Sequence, residues 1–407
     1  MKKAIKCSKF FDSVESKVLE NKTILIEGEK IAAVIPTGEF NAEGYEVIDL
    51  SDKFVMPGLI DCHMHLASAG LAGSMMERLL STHGDMTLAC LKNAQKHLMA
   101  GFTTIRNLGT GGFCDVAVKN AINRGDFIGS RIVASGPTIG STGGHADSHY
   151  NPYLAHLEGG DASLIVDSPD AARKAARYLV KHGSDVLKFM GTGGVMSMGT
   201  TLGAQQLTYD EMRAICEIGE MYGVHTATHV HGTNGIKDAV RAGVTSVEHG
   251  MIMDEECVEL MVKHGTYLSP TIIAAKRIVD NGVEAGIAEY AVNKAKVAIS
   301  HHEWGFRKCL EAGVPIVFGT DCGTPFNLHG QQQDEFTYLT DFGMTNVQAL
   351  TAATQNSAKL IRMWDSVGSI CPGKYADIVA YDNDPTVDIN VMQANSFVMK
   401  GGVVHKN

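Results

Sequence analysis

Across residues 100–321 the chain repeats one pattern: an amphipathic stretch with helical spacing, a glycine, then a short β-branched apolar run. The instances are LMAGFTTIRNLG, LVKHGSDVLKFMG, MYGVHTATHVHG, AVRAGVTSVEHG, MVKHGTYLSPT and CLEAGVPIVFGTD. The glycine suits the left-handed position that ends a helix, and the run after it suits a strand buried on both faces. TYDE at 208–211 has capping-box spacing and precedes the periodic stretch MRAICEIGEMYG, which marks a helix start. Adding the runs at 59–65 and 131–136 brings the tally to eight strands, each followed by room for a helix. The pattern predicts an α/β fold of the (β/α)8 TIM-barrel type over residues 57–364. No GxGxxG follows the first strand, which argues against a doubly wound dinucleotide-binding sheet.

The two ends read differently. KTILIEGEKIAAVIP near the N-terminus holds two strand-like runs around a Gly-Glu turn, and GKYADIVAYD and SFVMKGGVVHKN near the C-terminus are similar. Neither end can bury its apolar face alone, so residues 1–56 and 365–407 are expected to assemble one small β-sandwich beside the barrel.

Composition narrows the function. At 407 residues, 44% hydrophobic and 20% charged, the chain has the make-up of a folded globular protein. A formal net charge of −10 leaves no basic footprint, so neither nucleic acid nor an anionic membrane is an expected partner, and a small-molecule substrate is. The N-terminus lacks the apolar core of a signal peptide and no run approaches the roughly 20 apolar residues of a membrane span. Nine cysteines without regular spacing or a CxxC pair fit reduced thiols in the cytoplasm.

Candidate chemistry sits at strand ends. In VMPGLIDCHMHL, His63 and His65 share one parity of a strand and can face the lumen together, chelating one ion from one face. A lone buried histidine is more often a hydrogen-bonded core residue; two at this spacing are not so easily explained. Lys188 lies inside the apolar run DVLKFMG, where an uncompensated ammonium would cost several kcal/mol. His229 and His231 end GVHTATHVHG, His249 ends GVTSVEHG and Asp321 ends PIVFGTD. Taken singly these are ordinary polar strand termini. Together, imidazoles and a carboxylate at the barrel face where active sites are built suit a divalent ion such as zinc.

With PGLIDCHMH, LKFMGTGG, THVHG, VEHG, GTDCG and GKYADIVAYD in place, almost the whole chain resembles the amidohydrolase superfamily. The resemblance implies a barrel with a flanking β-sandwich and two divalent metal ions bridged by a carboxylated lysine. It implies further that His63, His65 and Asp321 hold the more buried ion, His229 and His249 the more exposed one, and that Lys188 is the bridge. A desolvated neutral amine can add carbon dioxide to become an anionic oxygen donor, which would resolve its burial. Whether His229 or His231 is the strand-five ligand stays open; His229 is preferred because the strand run leads directly into it.

The expected reaction is hydrolysis of an amide (C–N) bond by a metal-activated hydroxide, with Asp321 as general base and then acid. The third-loop GGHAD, the GTGG after the lysine and HVHG are similar to dipeptidases and carboxypeptidase-like members, including Xaa-Pro dipeptidase and imidazolonepropionase relatives. A dipeptide or N-acyl amino acid is therefore the expected substrate, and His145 and His231 are candidates to touch it. TTIRNLG departs from the RDLG expected of this group, with Asn107 in place of Asp; that residue is expected to orient Arg106 or a loop. Two alternatives stand beside this reading: a mononuclear hydrolase or deaminase of a cyclic or heteroaromatic C–N bond, and a scaffold that lost its chemistry, which the full ligand set disfavours. Barrels of this kind often pair through outer helices, so a homo-oligomer is an expectation by analogy.

Overall fold

The structure, a computed structural model, describes residues 2–72, 80–147 and 163–407. At the N-terminus KKAIKCSKFFD forms β1 (Lys2–Asp12), whose Ala4, Ile5, Cys7, Phe10 and Phe11 are buried. β2 (Lys17–Glu27) and β3 (Lys30–Pro36) follow as an antiparallel meander around Gly28, which takes φ +60° in the turn. β4 (Glu46–Pro57) runs parallel to β1 and leads straight into the interior.

Among the described residues nine parallel strands come next, in two sheets. β5 (Leu59–Met64), β6 (Phe102–Asn107) and β7 (Arg131–Ala134) form the first, in that order. β8 (Thr138–Gly140), β9 (Ser163–Ile165), β10 (Val186–Met190), β11 (His225–Val230), β12 (Ser246–His249) and β13 (Tyr267–Ser269) form the second, ordered β13-β12-β11-β10-β8-β9. β5, β6, β10, β11 and β12 are buried at every residue, as parallel strands covered on both faces by helices must be. The molecule is thus a mixed α/β fold with parallel sheets.

Two connections run between these sheets. Asp185 N–H, at the head of β10, donates to Ala134 O of β7 at 2.7 Å. On the other side residues 314–322 lie between β13 and β5: Leu268 N–H donates to Pro315 O, Val317 N–H to Leu268 O, Cys62 N–H to Phe318 O and His65 N–H to Cys322 O. This segment, PIVFGTDC, was expected as a regular eighth strand. It makes only isolated bridges, because Thr320 and Asp321 both donate to His63 O and Asp321 takes φ +58°, which breaks the ladder.

The chain ends with β14 (Ile378–Tyr381), β15 (Asn395–Lys400) and β16 (Val403–Lys406). β14 pairs antiparallel with the second half of β4, so both termini enter one seven-stranded sheet, ordered β16-β15-β14-β4-β1-β2-β3. Its own apolar cluster joins Ile5, Ile24 and Val55 to Ile378, Phe397 and Met399. Arg131 of β7 meets Asp377 at 2.8 Å beside this sheet.

Helix boundaries follow local chemistry. Thr208 and Glu211 form the reciprocal capping box of the helix Tyr209–Tyr222, which ends on Gly223 at φ +69°. The helices Glu255–His264 and Glu289–Ala312 end on Gly265 and Gly313, also left-handed. All nine cysteines are free thiols, eight of them buried. Among the described residues no helix is long and apolar enough to cross a membrane.

Candidate functional site

His63, in β5, and His65, just past its end, keep one strand parity, and both reach Asp321: His65 Nε2 lies 3.0 Å and His63 Nε2 3.5 Å from Asp321 Oδ1. Neither approach has the alignment of a hydrogen bond, and His63 Nε2 and Asp321 Oδ1 are buried without a hydrogen-bond partner. Asp61 holds the two chain segments together. Its Oδ1 accepts from His63 N and Thr320 N, and its Oδ2 from Thr320 Oγ1 at 2.6 Å. Burial pushes the Asp61 carboxyl up to about 7. Gly319 has to be glycine, since a Cβ there would lie 2.2 Å from Ser269 Oγ and 3.2 Å from His63 Cβ.

β12 contributes two adjacent side chains to the same interior, which simple alternation forbids. Ser246 and Glu248 share a face, and Ser246 Oγ donates to Glu248 Oε1. His249 would point the other way, but its φ of +70° turns it inward, and its ring centroid sits 4.8 Å from that of His63. Glu248 Oε2 accepts from His63 Nδ1 at 2.8 Å, and Glu248 Oε1 from the Arg106 guanidinium at 2.8 Å. Arg106 also donates to Cys62 O and Ser246 Oγ, so the whole group is satisfied although fully buried. Burial alone would raise the Glu248 carboxyl; Arg106, His63 and Lys188 hold it far below the usual range instead. The His63 imidazole is pushed down to about 4 by burial and by Lys188, so it is neutral.

These facts fix a tautomer. A neutral His63 facing an ionised Glu248 carries its proton on Nδ1, which leaves the Nε2 lone pair directed at Asp321 Oδ1. Burial would raise the Asp321 carboxyl, yet its other neighbours, His65 and Lys188 among them, hold it below its ordinary value. Two buried electron pairs therefore converge without a hydrogen bond between them. Ligand atoms of His63, His249 and Asp321 all lie within 4.8 Å of one another, and this donor set of two imidazoles and a carboxylate fits a divalent ion.

The other predicted residues lie around this group. Lys188, 1% exposed, stands in the middle of β10, and burial pushes its amine down to about 8 against the pull of Glu248 and Asp321. Among the described residues no hydrogen bond reaches its Nζ. His229 is buried with an unpartnered Nε2, and its ring is 4.7 Å from those of His231 and His249. His231 stacks on His249 at 5.1 Å with Nδ1 unpartnered. His145 stacks on His229 at 4.1 Å, its Nδ1 2.9 Å from Ser197 Oγ. The last three residues of its loop, 148–150, lie outside the described residues. Asn107 orients a loop: its Oδ1 accepts from Leu66 N, and its Nδ2 donates to Thr110 and Asp115.

A second buried group, His97, Cys322 and His329, also brings potential ligand atoms together. Its imidazoles are already spent. Gln332 donates to His97 Nδ1, His97 Nε2 meets His329 Nδ1 at 2.8 Å, and His329 Nε2 donates to Ser68 O. A metal there would have to break three hydrogen bonds, so we read the group as a neutral tether for the loop after β5.

Residues 54–406 match the model of the amidohydrolase family. The chain belongs to that family. It is 31% identical to the ochratoxinase of Aspergillus niger over 373 residues, 86% of this chain and 75% of that one. It is 26% identical to the imidazolonepropionase of Geobacillus kaustophilus over 96% of this chain and 91% of the relative. Among solved structures it superposes on a Xaa-Pro dipeptidase with methionine bound in the active site, with a TM-score of 0.93 and 33% identity over the full length of both. As an amidohydrolase it is a hydrolase of amide bonds.

Sequence reasoning missed Glu248, although it had the means to find it. A glutamate in the apolar run TSVEHG is as anomalous as the lysine in DVLKFMG, and the same burial argument demands a partner, which Arg106 supplies.

Proposed function

We propose that the chain is a binuclear metal-dependent amidohydrolase acting on dipeptides or N-acyl amino acids that carry a free carboxylate. The observation that carries this reading is the unpaired convergence of His63 Nε2 and Asp321 Oδ1 beside His249. In it, His63, His65 and Asp321 would hold one divalent ion, His229 and His249 would hold the other, and Lys188 as a carbamate would serve as a ligand to both. When bound, such ions, zinc in the first instance, supply a water of lowered pKa and polarise a carbonyl.

The protein's own part is proton handling and orientation. Asp321, ionised at neutral pH, takes the proton from the attacking water and returns it to the departing nitrogen. Its left-handed backbone aims the carboxylate at the His63 and His65 rings. Burial lowers the Lys188 amine towards neutrality, the form that adds carbon dioxide. His145 and His231, stacked on His229 and His249, are the residues proposed to contact the substrate carboxylate or carbonyl. The likeness to a Xaa-Pro dipeptidase and to ochratoxinase favours small amide substrates.

The scaffold reading goes with it. The contacts of residues 314–322 with β13 and β5, and of Asp185 with β7, support a closed eight-stranded barrel over residues 57–364. The shared sheet and cluster of the two termini support a separate unit of residues 1–56 and 365–407.

The test is a metal assay joined to a substrate screen. The metal-loaded protein should hold about two ions and turn over members of a dipeptide and N-acyl amino acid panel. Lys188→Ala should lose most bound metal and regain part of its activity with a short carboxylic acid. The similarity to imidazolonepropionase favours a second reading, a hydrolase of a cyclic amide. One ion per chain, an unmodified Lys188 and turnover confined to cyclic substrates would decide for it.

A further inference from the structure

The helix Ile272–Asn281 starts on Thr271, and a threonine there ordinarily turns its hydroxyl onto the free N–H groups of the first turn. Thr271 makes no such cap. Its Oγ1 lies instead 2.6 Å from His249 Nδ1, with both side chains buried. The orphaned donors are served from another helix. Glu335, in Asp334–Asp341, is 0% exposed, and its Oε1 and Oε2 accept from Ile272 N at 2.9 Å and Ile273 N at 2.7 Å.

The backbone was bent to permit this. Thr271 takes φ +51° and His249 φ +70°, left-handed values that β-branched and bulky residues seldom adopt. A glycine at 271 would avoid that strain but would carry no hydroxyl. Strain at both ends of one buried hydrogen bond, and a helix cap supplied by a borrowed carboxylate, have a common explanation if the Thr271 hydroxyl is needed on His249.

We infer that Thr271 and Glu335 form a positioning unit for His249: Glu335 caps the helix in place of Thr271, which frees the Thr271 hydroxyl to accept the His249 Nδ1 proton and aim Nε2 into the site. Thr271 sets ring orientation and tautomer, as partners of metal-binding imidazoles generally do. Glu335 acts one step further out, holding the first turn so that the hydroxyl stays in register with the ring. This rests on His249 being a metal ligand, as proposed above.

The experiment measures metal affinity of the full-length protein by competition with a chromogenic chelator, together with metal content. Thr271→Val keeps the shape and loses the hydroxyl; Thr271→Gly loses both hydroxyl and strain; Thr271→Ser keeps the hydroxyl. Val and Gly should each weaken the affinity for one ion by about 10- to 100-fold, while Ser stays close to the parent. Glu335→Gln, which retains one carbonyl oxygen, should fall between them. The glycine variant separates the hydroxyl from backbone strain, because a purely structural threonine would be relieved by it. Parental affinity in Thr271→Val or Thr271→Gly, while His249→Ala loses an ion, overturns the positioning role. Unchanged metal content in His249→Ala overturns the ligand assignment, and the inference falls with it.

Discussion

His63 and Glu248 meet at 2.8 Å with no exposed surface on either side chain. The carboxylate does two jobs there: it fixes the proton of His63 on Nδ1, and it neutralises Arg106 in a region that water does not reach. Stability and the orientation of His63 thus share one side chain, and the two roles separate by mutation.

Glu248→Ala leaves the Arg106 charge buried and unpaired, so the protein should lose about 3–5 kcal/mol of stability. Replacing both residues, Arg106→Met with Glu248→Met, should recover most of that loss in urea unfolding. Metal affinity should remain depressed by about 10- to 100-fold in the double variant, because His63 has still lost its partner. Recovery of metal affinity along with stability would show that Glu248 serves the fold alone.

How much of this was legible in the chain depends on the range of the interaction. Helix ends were readable because Thr208, Glu211 and Gly223 act within a few residues of one another. His63, His65 and Asp321 could be singled out because imidazoles and carboxylates recur together at strand ends, and Lys188 because it interrupts an apolar run. The inward turn of His249 was not, since parity assumes extended backbone and a left-handed residue breaks it. The same holds for PIVFGTDC, where φ +58° at Asp321 replaces a regular strand by isolated bridges. The Arg106–Glu248 pair and the Glu335 cap on Ile272 and Ile273 join residues far apart in sequence, and no local pattern encodes them.

Gly194 is wedged against two rings of the site. A Cβ there would lie 2.4 Å from His145 Cε1 and 2.6 Å from His229 Nε2, and both rings are packed by stacking on each other. Gly194→Ala should therefore displace His145 or the loop, at about 1–3 kcal/mol of stability, with kcat/KM falling by more than that stability loss can explain. Parallel urea titrations and steady-state kinetics make the comparison. Parental kinetics would mean that the His145–His229 stack is dispensable.

A pH effect is expected far from the site. Lys400 Nζ donates to Gly129 O at 2.7 Å, and burial, reinforced by Arg131 and opposed by Asp377 and Glu29, pushes its amine down to about 8 from 10.5. The folded state then binds fewer protons than the unfolded chain between those two values, so stability should rise with pH across that window. Below about 8 both states hold the proton and the burial cost is present in full. Lys400→Met should be more stable than the parent at pH 7 and should lose this part of the upward slope between pH 8 and 10. Chemical denaturation of both proteins at pH 7, 8, 9 and 10 measures it; equal slopes would refute the assignment.

The long helix Glu289–Ala312 grips the loop that carries Gly194. Lys294 Nζ donates to Gly194 O at 3.2 Å, Ser197 O at 2.8 Å and Thr200 O at 2.5 Å, and one turn earlier Tyr290 Oη donates to Met196 O at 3.1 Å. An ammonium has three donors, and all three are used on one loop. That loop in turn presents Ser197 to His145. Removing the ammonium should loosen the seat of His145 without touching any proposed metal ligand, so substrate binding should suffer before the chemical step. Lys294→Met should raise KM about tenfold or more, in line with the loss of charge-assisted hydrogen bonds, while leaving metal content and kcat near parental values. Proteolysis within residues 194–200 should quicken in the same variant. Lys294→Arg should recover part of the KM, because a guanidinium still offers donors to the carbonyls. A fall in kcat with unchanged KM would place the role of the clamp in the chemical step, and a KM that does not move would show that the loop holds His145 without it.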